Sequence, residues 1–487
     1  MKKQPCYDLV TDFGAENDGT INDLQIKFNL LQDGDEVFVP IGVFILKPFS
    51  LVGKKKIRFV GPGTLKRDII TLGNFITLDG CNDFYFEINI DNSDFSSSAI
   101  YMKNCPSFIF SKMKVKNLYS STSTNVHGVQ IFGGCSFGKF VSCEFSDIRA
   151  SDESTASARA IMITNFNVIE NQTICIEIKE CEFSNMTKGS DTDAIFIDQL
   201  NFYGYHRIIE NRFIDIIKRP VKLMGDGNVV RGNKLIHNGI IGPSYAAFSS
   251  YGNDNTIDDN EAYGFGNNGR WSRFVDCNGT ATIRRNKFYN SAATDVSTSD
   301  GVYIYGNNRG ITDITIEDNE FKNLRYGTYL YTSVPVTNMK INKNKYSSIN
   351  KHIHYFRSVV TNLLMEGNST SMSPQNFCSF DSGVNPATFV SNNNLINCLW
   401  GLINSPSSRI ENLFANGNTN FGTSIPDYEA GKQIEYRTSL PLSGKYEQGD
   451  KIIHKTPING GNIGWVCTTT GTVGIDAVFK TYGTIAN

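Results

Sequence analysis

An all-β, right-handed parallel β-helix is the fold this sequence predicts, on three observations. A short phrase repeats along the middle of the chain. A second apolar strand precedes each copy. No helix-length amphipathic pattern lies between copies. The phrase reads apolar, any, any, Asn, any, aromatic or Leu, as in IIENRF (208–213), VRGNKL (230–235), IRRNKF (283–288) and IEDNEF (316–321). Its asparagines are Asn211, Asn233, Asn260, Asn286, Asn319, Asn344, Asn368, Asn393 and Asn418, spaced 22–33 residues apart. Cys143 and Cys181 take the same place in earlier copies. A repeat this short holds two or three strands and cannot bury its own apolar face, so copies must stack as coils. Asn at one fixed corner tolerates left-handed backbone, and its amide can bond along the stack.

Taken in order, residues 1–45 form a cap, 46–426 the β-helix of about 12 coils, and 427–487 a small C-terminal β-rich module. The cap is needed because an open end exposes core and unpaired strand edges. It contains a short amphipathic helix with Leu24, Phe28 and Leu31 on one face. The acids of DFGAENDGTIND (12–23) read as turn and N-cap residues. The strand before each phrase fixes the facing. Ile195, Ile197, Ile304, Ile316 and Ile341 point inward.

Bulk properties narrow the function. Of 487 residues 19% are charged and the net charge is −2, which argues against nucleic-acid binding. Eleven Cys occur without a CxxC pair, which favours folding in a reducing cytosol over disulfides or a zinc site. No secretory h-region and no run of membrane-span length is seen, so neither export by that route nor membrane insertion is expected. No oxygen-rich loop suits calcium, and no metal or other cofactor is expected.

The outward strand positions carry the chemistry. Alternation turns Tyr303 and Tyr305 out of GVYIYG, and Tyr329 and Tyr331 out of TYLYTS. It turns out His354 and Phe356 of IHYFRS, Phe196 and Asp198 of AIFIDQ, and Gln130 and Phe132 of GVQIFG. Sugar rings stack on such aromatic faces, so a glycan groove is expected there. Trp271 joins it from the loop FGNNGRWSR with Arg270 and Arg273, unless the indole is a structural anchor.

The carboxylates of KGSDTDAIFIDQL (188–200) are the catalytic candidates. Asp193 and Asp198 lie about 16 Å apart on an extended strand, too far for a glycosidase pair. Asp198 points outward, and aligning AIFIDQL with VKLMGDG puts Met224 beside it and Asp226 at about 8 Å, within inverting range. Asp226 also suits a turn in GDGN. Asp193 and Asp300 stand just before strands, and Asp193 suits an ion pair with Arg159 and Arg219. Asp191 reads as a turn residue. Lys222, Arg219 and Arg159 would serve an elimination on a uronate.

The stretch LVTDFGAENDGTINDLQIKFNLLQDGDEVFVPIGVFIL (9–46) resembles the opening of the pectate-lyase-like superfamily, which includes polygalacturonases, pectate lyases, epimerases and bacteriophage tailspikes. The tail at 440–487 resembles a β module of phage tail proteins, through Gly449-Asp450, Gly464-Trp465-Val466-Cys467 and Tyr482-Gly483. DTDAIFID (191–198) is similar to the Asn-Thr-Asp-Gly segment of polygalacturonases, but their following Asp-Asp and Gly-His-Gly elements are missing. The resemblance implies a tailspike depolymerase that hydrolyses a bacterial capsular or O-antigen polysaccharide. It implies a homotrimer partnered with other phage tail proteins, assembled in the host cytoplasm, carried on the virion and acting at the cell surface. A lyase, a non-catalytic adhesin and an epimerase on the same scaffold are the alternatives.

Overall fold

The computed structural model describes residues 5–95, 97–120, 124–151, 156–165, 172–239, 244–265, 271–291, 299–306, 311–371, 377–380, 388–391, 393–395, 403–404, 413–416, 418–420, 423–424, 427–429 and 432–486. The chain divides into two compact units, residues 1–303 and 304–487. It is an all-β parallel solenoid of about 12 turns with almost no helix.

In the first unit each coil contributes three strands. One strand joins a parallel sheet that includes Ser98–Lys103, Val126–Phe132, Ser157–Thr164, Asp191–Asp198, Arg219–Leu223, Ser244–Ser250 and Trp271–Cys277. The other two flank a tight corner, as Gly138–Val141 and Glu144–Arg149 flank Cys143. The next coil repeats this with Glu177–Lys179 and Glu182–Met186 around Cys181.

The repeated phrase is that corner. Ladder residues are buried and bond from coil to coil. The Cys181 N–H donates to Asn211 Oδ1 at 2.9 Å. The N–H groups of Asn211, Asn233 and Asn260 donate to the next Asn Oδ1, each at 2.9 Å. In the second unit the ladder runs Asn319, Asn344, Asn368, Asn393, Asn418, with bonds of 2.9–3.1 Å. The sequence expectation erred on one point. The left-handed residue is the one before the Asn: Glu210 (φ 57), Asp259 (φ 55), Arg285 (φ 56), Asp318 (φ 54) and Lys343 (φ 53), with glycine at 232 and 367. The left-handed step turns the following N–H along the stack, away from any strand partner, and the next coil's amide oxygen accepts it. Asn is there for its buried amide rather than for its backbone.

A second ladder runs along another corner. The Cys105 N–H points at Cys135 Sγ (3.3 Å). Further along, the Ile176, His206 and Asn228 N–H groups donate to His206 Nδ1, Asn228 Oδ1 and Asn255 Oδ1. Thiols and imidazole here are packing groups. Cys143 and Cys181 are 1% exposed, and burial holds the Cys181 thiol well above its usual pKa.

Two residues after the ladder position, aromatic rings fill the interior. Phe145, Phe183 and Phe213 stack at 5.2 and 4.9 Å. Ile195, Ile197, Ile304, Ile316 and Ile341 are fully buried, as the alternation predicts. The helix Gln25–Leu30 buries Phe28 against Phe49 (4.6 Å) and Phe59 (5.6 Å), with Leu24 and Leu31 also buried. Its N-cap is Leu24, with no side-chain cap. Asp23 pairs instead with Lys47 at 3.1 Å, and Asp18 accepts the Thr20 N–H in a turn.

In the second unit, the strands Lys432–Arg437, Lys451–His454, Asn462–Thr469 and Val478–Thr484 form a small sheet over Tyr446, Ile452 and Cys467.

The ladder sets an expected outcome for mutation. Asn260→Ala leaves the Asn233 N–H without its acceptor, takes one of three acceptors from Asn233 Nδ2 and removes the amide that donates to the Val230 carbonyl. Each buried polar group left unpaired costs about 1–3 kcal/mol. A large drop in denaturant midpoint is expected. Asn260→Cys is expected to cost less, because thiols already occupy this position in earlier coils.

Candidate functional site on the outer sheet face

The outward face of the sheet in the first unit is arranged in rows set by parallel register. One row runs His127, Arg159, Asp193, Arg219. A second runs Tyr101, Gln130, Met162, Phe196, Lys222, Ser249, Asp276. A third runs Phe132, Thr164, Asp198. The first and second rows are three residues apart, not two. Small or ring residues, Gly128, Ala160, Ala194 and Pro220, sit where the strands kink between them. A Cβ on Gly128 would approach the Ala160 carbonyl oxygen to 2.5 Å, so the kink needs glycine there. This break in alternation puts Asp193 and Phe196 on one face.

A dense ionic cluster results. Arg219 Nε donates to Asp193 Oδ1 at 2.6 Å, and a second guanidinium nitrogen binds Asp191. Arg159 reaches Asp191 at 3.0 Å and Asp193 at 3.9 Å. Lys222 Nζ lies 3.6 Å from Asp191. The Phe196 ring is covered by Arg159 at 4.4 Å and Lys222 at 4.5 Å. Burial pushes the Asp193 carboxyl up to about 6, against the pull of Lys222 and Arg159. Burial lowers the Lys222 ammonium to about 8; Asp193 opposes this, and Arg219 and Arg159 add to it.

Further along the same face, Arg273 stacks on Tyr303 at 3.8 Å and Tyr245 at 4.8 Å. It donates to the Tyr245 hydroxyl at 2.6 Å and to Asp276 at 2.9 Å. The Tyr251 hydroxyl donates to Asp276 at 2.7 Å, and burial raises the Asp276 pKa.

The expected residues fall as follows. Asp198 is outward and half-buried beside Thr164, and its charge is felt by Arg159 and Lys222. Asp226 does not face it. The chain has left the sheet by then, and Asp226 bridges Tyr203 across the corner while its carboxylate accepts the Asn253 N–H at 2.7 Å. That is the turn role. Asp193 forms the anticipated ion pairs, but fully buried rather than at the surface. Asp191 opens the strand instead of lying in a turn. Asp300 also opens its strand and is 2% exposed.

Tyr303 and Tyr305 are half-buried on the outward side. Phe196 and Arg219 are outward yet shielded by their cluster neighbours. Trp271 is inside at 1% exposure, its ring against His237 and its backbone N–H donating to Asn290 Oδ1. It begins a strand rather than ending a loop, so the anchor role holds. Arg270 lies outside the described residues.

In the second unit, Tyr329 is half-buried and Tyr331 is 52% exposed. His354 and Phe356 point inward, because His354 pairs with the inward Thr328. The strand starts one residue out of the assumed phase, and Tyr355 takes the outward place against Tyr329, rings stacked at 5.5 Å. Tyr326 and Arg325 join this group, and Arg357 covers Tyr331. Tyr245, Tyr251, Asp276, Tyr326 and Tyr355 were not anticipated. Counting coil register instead of strand alternation would have found the first three.

Among the described residues no group of three or more His, Cys, Asp or Glu side chains is arranged to hold a metal ion. No protein-family model and no curated protein matches the chain.

The burial of the site and its flanks has a pH consequence. Burial lowers His127, His206 and His354 to about 3, from an ordinary 6.5. Below 6.5 the unfolded chain takes up protons that the folded chain refuses, so stability is full above that pH and falls as acid is added. Asp193, raised to about 6, opposes this between 6 and 3.8, because its folded form holds the extra proton. Three groups outweigh one. At pH 5 these four groups together are expected to take up about two protons on unfolding, a contribution of roughly 2.7 kcal/mol per pH unit. Denaturant midpoints measured from pH 7.5 to 5 check it.

Solved structures share the architecture. The tailspike protein of E. coli bacteriophage HK620, in complex with a pentasaccharide, superposes with a TM-score of 0.60 at 11% identity, over 98% of this chain and 92% of that one. An aspartate-to-asparagine mutant of that tailspike, also with the pentasaccharide, gives 0.60 and 11% over 99% and 92%. A double mutant gives 0.59 and 12% over 98% and 92%. The chain has the parallel β-helix fold of a phage tailspike.

Proposed function

We propose that this protein is a phage tailspike depolymerase that binds and hydrolyses a bacterial surface polysaccharide along the outward sheet face. The observation that carries the reading is the in-register rows, which line one face with rings, cations and carboxyls over many consecutive coils. A repeating polymer meets a repeating surface. The shared fold with a tailspike solved in complex with a pentasaccharide supports it.

Asp198 is the acid of choice. It is outward, half-buried and not ion-paired among the described residues, whereas Asp193 and Asp276 are fully buried and tied to arginines. Phe196 lies two residues away on the same face, so a sugar stacked on that ring would also cover Asp198, where a general acid is needed. Asp226 is turned away, so the second carboxyl comes from a neighbouring chain in a homotrimer attached to other tail proteins on the virion. Capsule or O-antigen is the substrate class.

Elimination is the second reading, and one observation favours it. Lys222, lowered to about 8 and flanked by Arg159 and Arg219, has the pKa of a working base beside cations that would hold a uronate carboxylate.

Products separate the two. Hydrolysis gives new reducing ends without the ultraviolet absorbance of an unsaturated uronate, and Asp198→Asn abolishes it while binding persists. Elimination gives that absorbance, survives Asp198→Asn, and is lost in Lys222→Met. Absence of either product from host polysaccharide defeats the enzymatic reading and leaves an adhesin.

Tyr303→Ala with Tyr329→Ala is expected to weaken glycan binding about tenfold or more, at about 1 kcal/mol per lost stacking contact. The melting temperature is expected to stay nearly unchanged, because these rings lie outside the core. Unaltered affinity in the folded double variant would place the groove elsewhere.

A further inference from the structure

Where the strand Asp191–Asp198 ends, the chain makes a short excursion closed by the Phe202 N–H on the Gln199 carbonyl at 3.0 Å. Coil register shows how little ground the excursion covers. The Met224 N–H donates to the Ile197 carbonyl, which puts Met224 next to Asp198 in the following coil. Tyr203 bridges Asp226 of that same coil. Met224 and Asp226 are two residues apart, so at about 3.3 Å per residue the backbones of Asp198 and Tyr203 lie about 7 Å apart.

Tyr205 holds the left-handed place before the ladder residue His206 (φ 50). Gly227 (φ 70) and Asp254 (φ 54) hold it on the next two coils, before Asn228 and Asn255. The glycine leaves a gap in this line, and both tyrosine rings lie against it. A Cβ on Gly227 would come within 2.9 Å of Tyr203 Cδ1 and 3.2 Å of Tyr205 Cδ1. The rings stack on each other at 5.6 Å and 27°. The Tyr203 hydroxyl donates to the Asp254 carboxylate, which also accepts from Thr280 Oγ1 at 3.2 Å. That bond pushes the Tyr203 phenol up to about 12, so it stays a donor. One ring is pinned at both ends, and it backs the other.

The core does not use these rings. Tyr203 is 43% and Tyr205 56% exposed, and Leu200 at 42% adds an aliphatic edge. A ring already held still offers its face to a ligand without an ordering cost. A pyranose has an apolar face of C–H groups that stacks on such a ring. Charge narrows the class. Asp198 and Asp254 border the rings, and among the described residues neither is in an ion pair. Asp226 is buried in its turn. Arg207, two residues after Tyr205, pairs with Glu177 at 3.5 Å. Arg159 and Lys222, whose charges reach Asp198, are held by Asp191. An acidic sugar residue would meet two carboxylates here, so the subsite suits a neutral one.

We propose that Tyr203 and Tyr205 form a stacking subsite for a neutral sugar residue of the polysaccharide that lies over Asp198. The inference rests on the reading of the outward face as a polysaccharide groove, and it adds the class of sugar taken at that end of the groove.

The test uses the full chain and a panel of purified bacterial capsular and O-antigen polysaccharides, scored for retention and for new reducing ends. The wild type is expected to retain at least one polymer that contains neutral hexose. Tyr203→Ala with Tyr205→Ala is expected to weaken that retention about tenfold or more. The factor is expected to be the same at low and high salt, because stacking on an uncharged ring is not screened. Where the polymer is cleaved, KM rises by a similar factor and kcat changes less. Tyr205→Trp is expected to keep binding and to change its fluorescence when polymer is added. Circular dichroism and melting confirm that each variant folds.

Equal retention by the wild type and the folded double alanine variant overturns the subsite. So does a loss that disappears at high salt, or retention confined to polymers without neutral sugars. Unchanged retention with altered sedimentation of the double variant also overturns it, and assigns the rings to contacts between copies of the chain. The two readings fail separately. If a polymer is retained through the tyrosines but never hydrolysed, hydrolysis at Asp198 fails and the subsite stands. If Asp198→Asn abolishes cleavage while the double alanine variant keeps full affinity and KM, hydrolysis stands and the subsite fails. No retention of any polymer overturns both.

Discussion

One interaction recurs through the structure: a backbone N–H, turned along the stack by a left-handed residue, bonds to the side chain of the next coil. Everything else on each coil is placed relative to it. The left-handed step ends one strand and starts the next at a fixed angle. The buried amide then fixes which residue of one coil lies over which residue of the next. Because the N–H has no strand partner at that point, the acceptor is obligatory. Cysteine, histidine and asparagine all fill the place in this chain, so what is required is a short buried acceptor rather than one residue type.

Register at the corner propagates to the outer face, where it creates the site. His127, Arg159, Asp193 and Arg219 come from four different coils, 26 to 34 residues apart in sequence, and form one line because the coils are in phase. No local motif announces such a group. Its charges are also coupled. Asp193 is buried and raised, Lys222 is buried and lowered, and each moderates the other. Burial of several charges is tolerable only when they are mutually paired, and the two guanidinium groups do most of that pairing.

This explains what the sequence disclosed. The ladder phrase, the inward isoleucines and the capping Phe28 follow from period and polarity, and they were legible. Outward positions were legible only where strands keep strict alternation. Phe196, Asp198, Tyr303 and Tyr329 obey it. Trp271 and His354 do not, the first because a strand starts where a loop was expected, the second because a strand starts one residue out of phase. The kink between the first two rows is a related failure. It brings Asp193 round to the face of Phe196, and only the glycine and small residues beneath it hint at that. Asp226 failed for a different reason: the alignment was right for Met224, but the chain turns the corner immediately after.

The same geometry bears on the choice between chemistries. A single-chain hydrolase needs two reachable carboxyls about 5–9.5 Å apart. On this face Asp191 and Asp193 share Arg219, and holding that guanidinium uses the lone pairs that a base or nucleophile needs. Among the described residues Asp198 makes no such bond, and it stands at the far end of the strand from both. A solenoid offers every coil the same few outward positions, so a second acid facing Asp198 would have to come from a neighbouring coil, a loop or another chain. The strands on either side offer Thr164 and Met224. Hydrolysis at Asp198 would therefore depend on an acid from outside the sheet, whereas elimination at Lys222 would not, and dependence of turnover on association state would be a physical signature of an acid supplied by another chain.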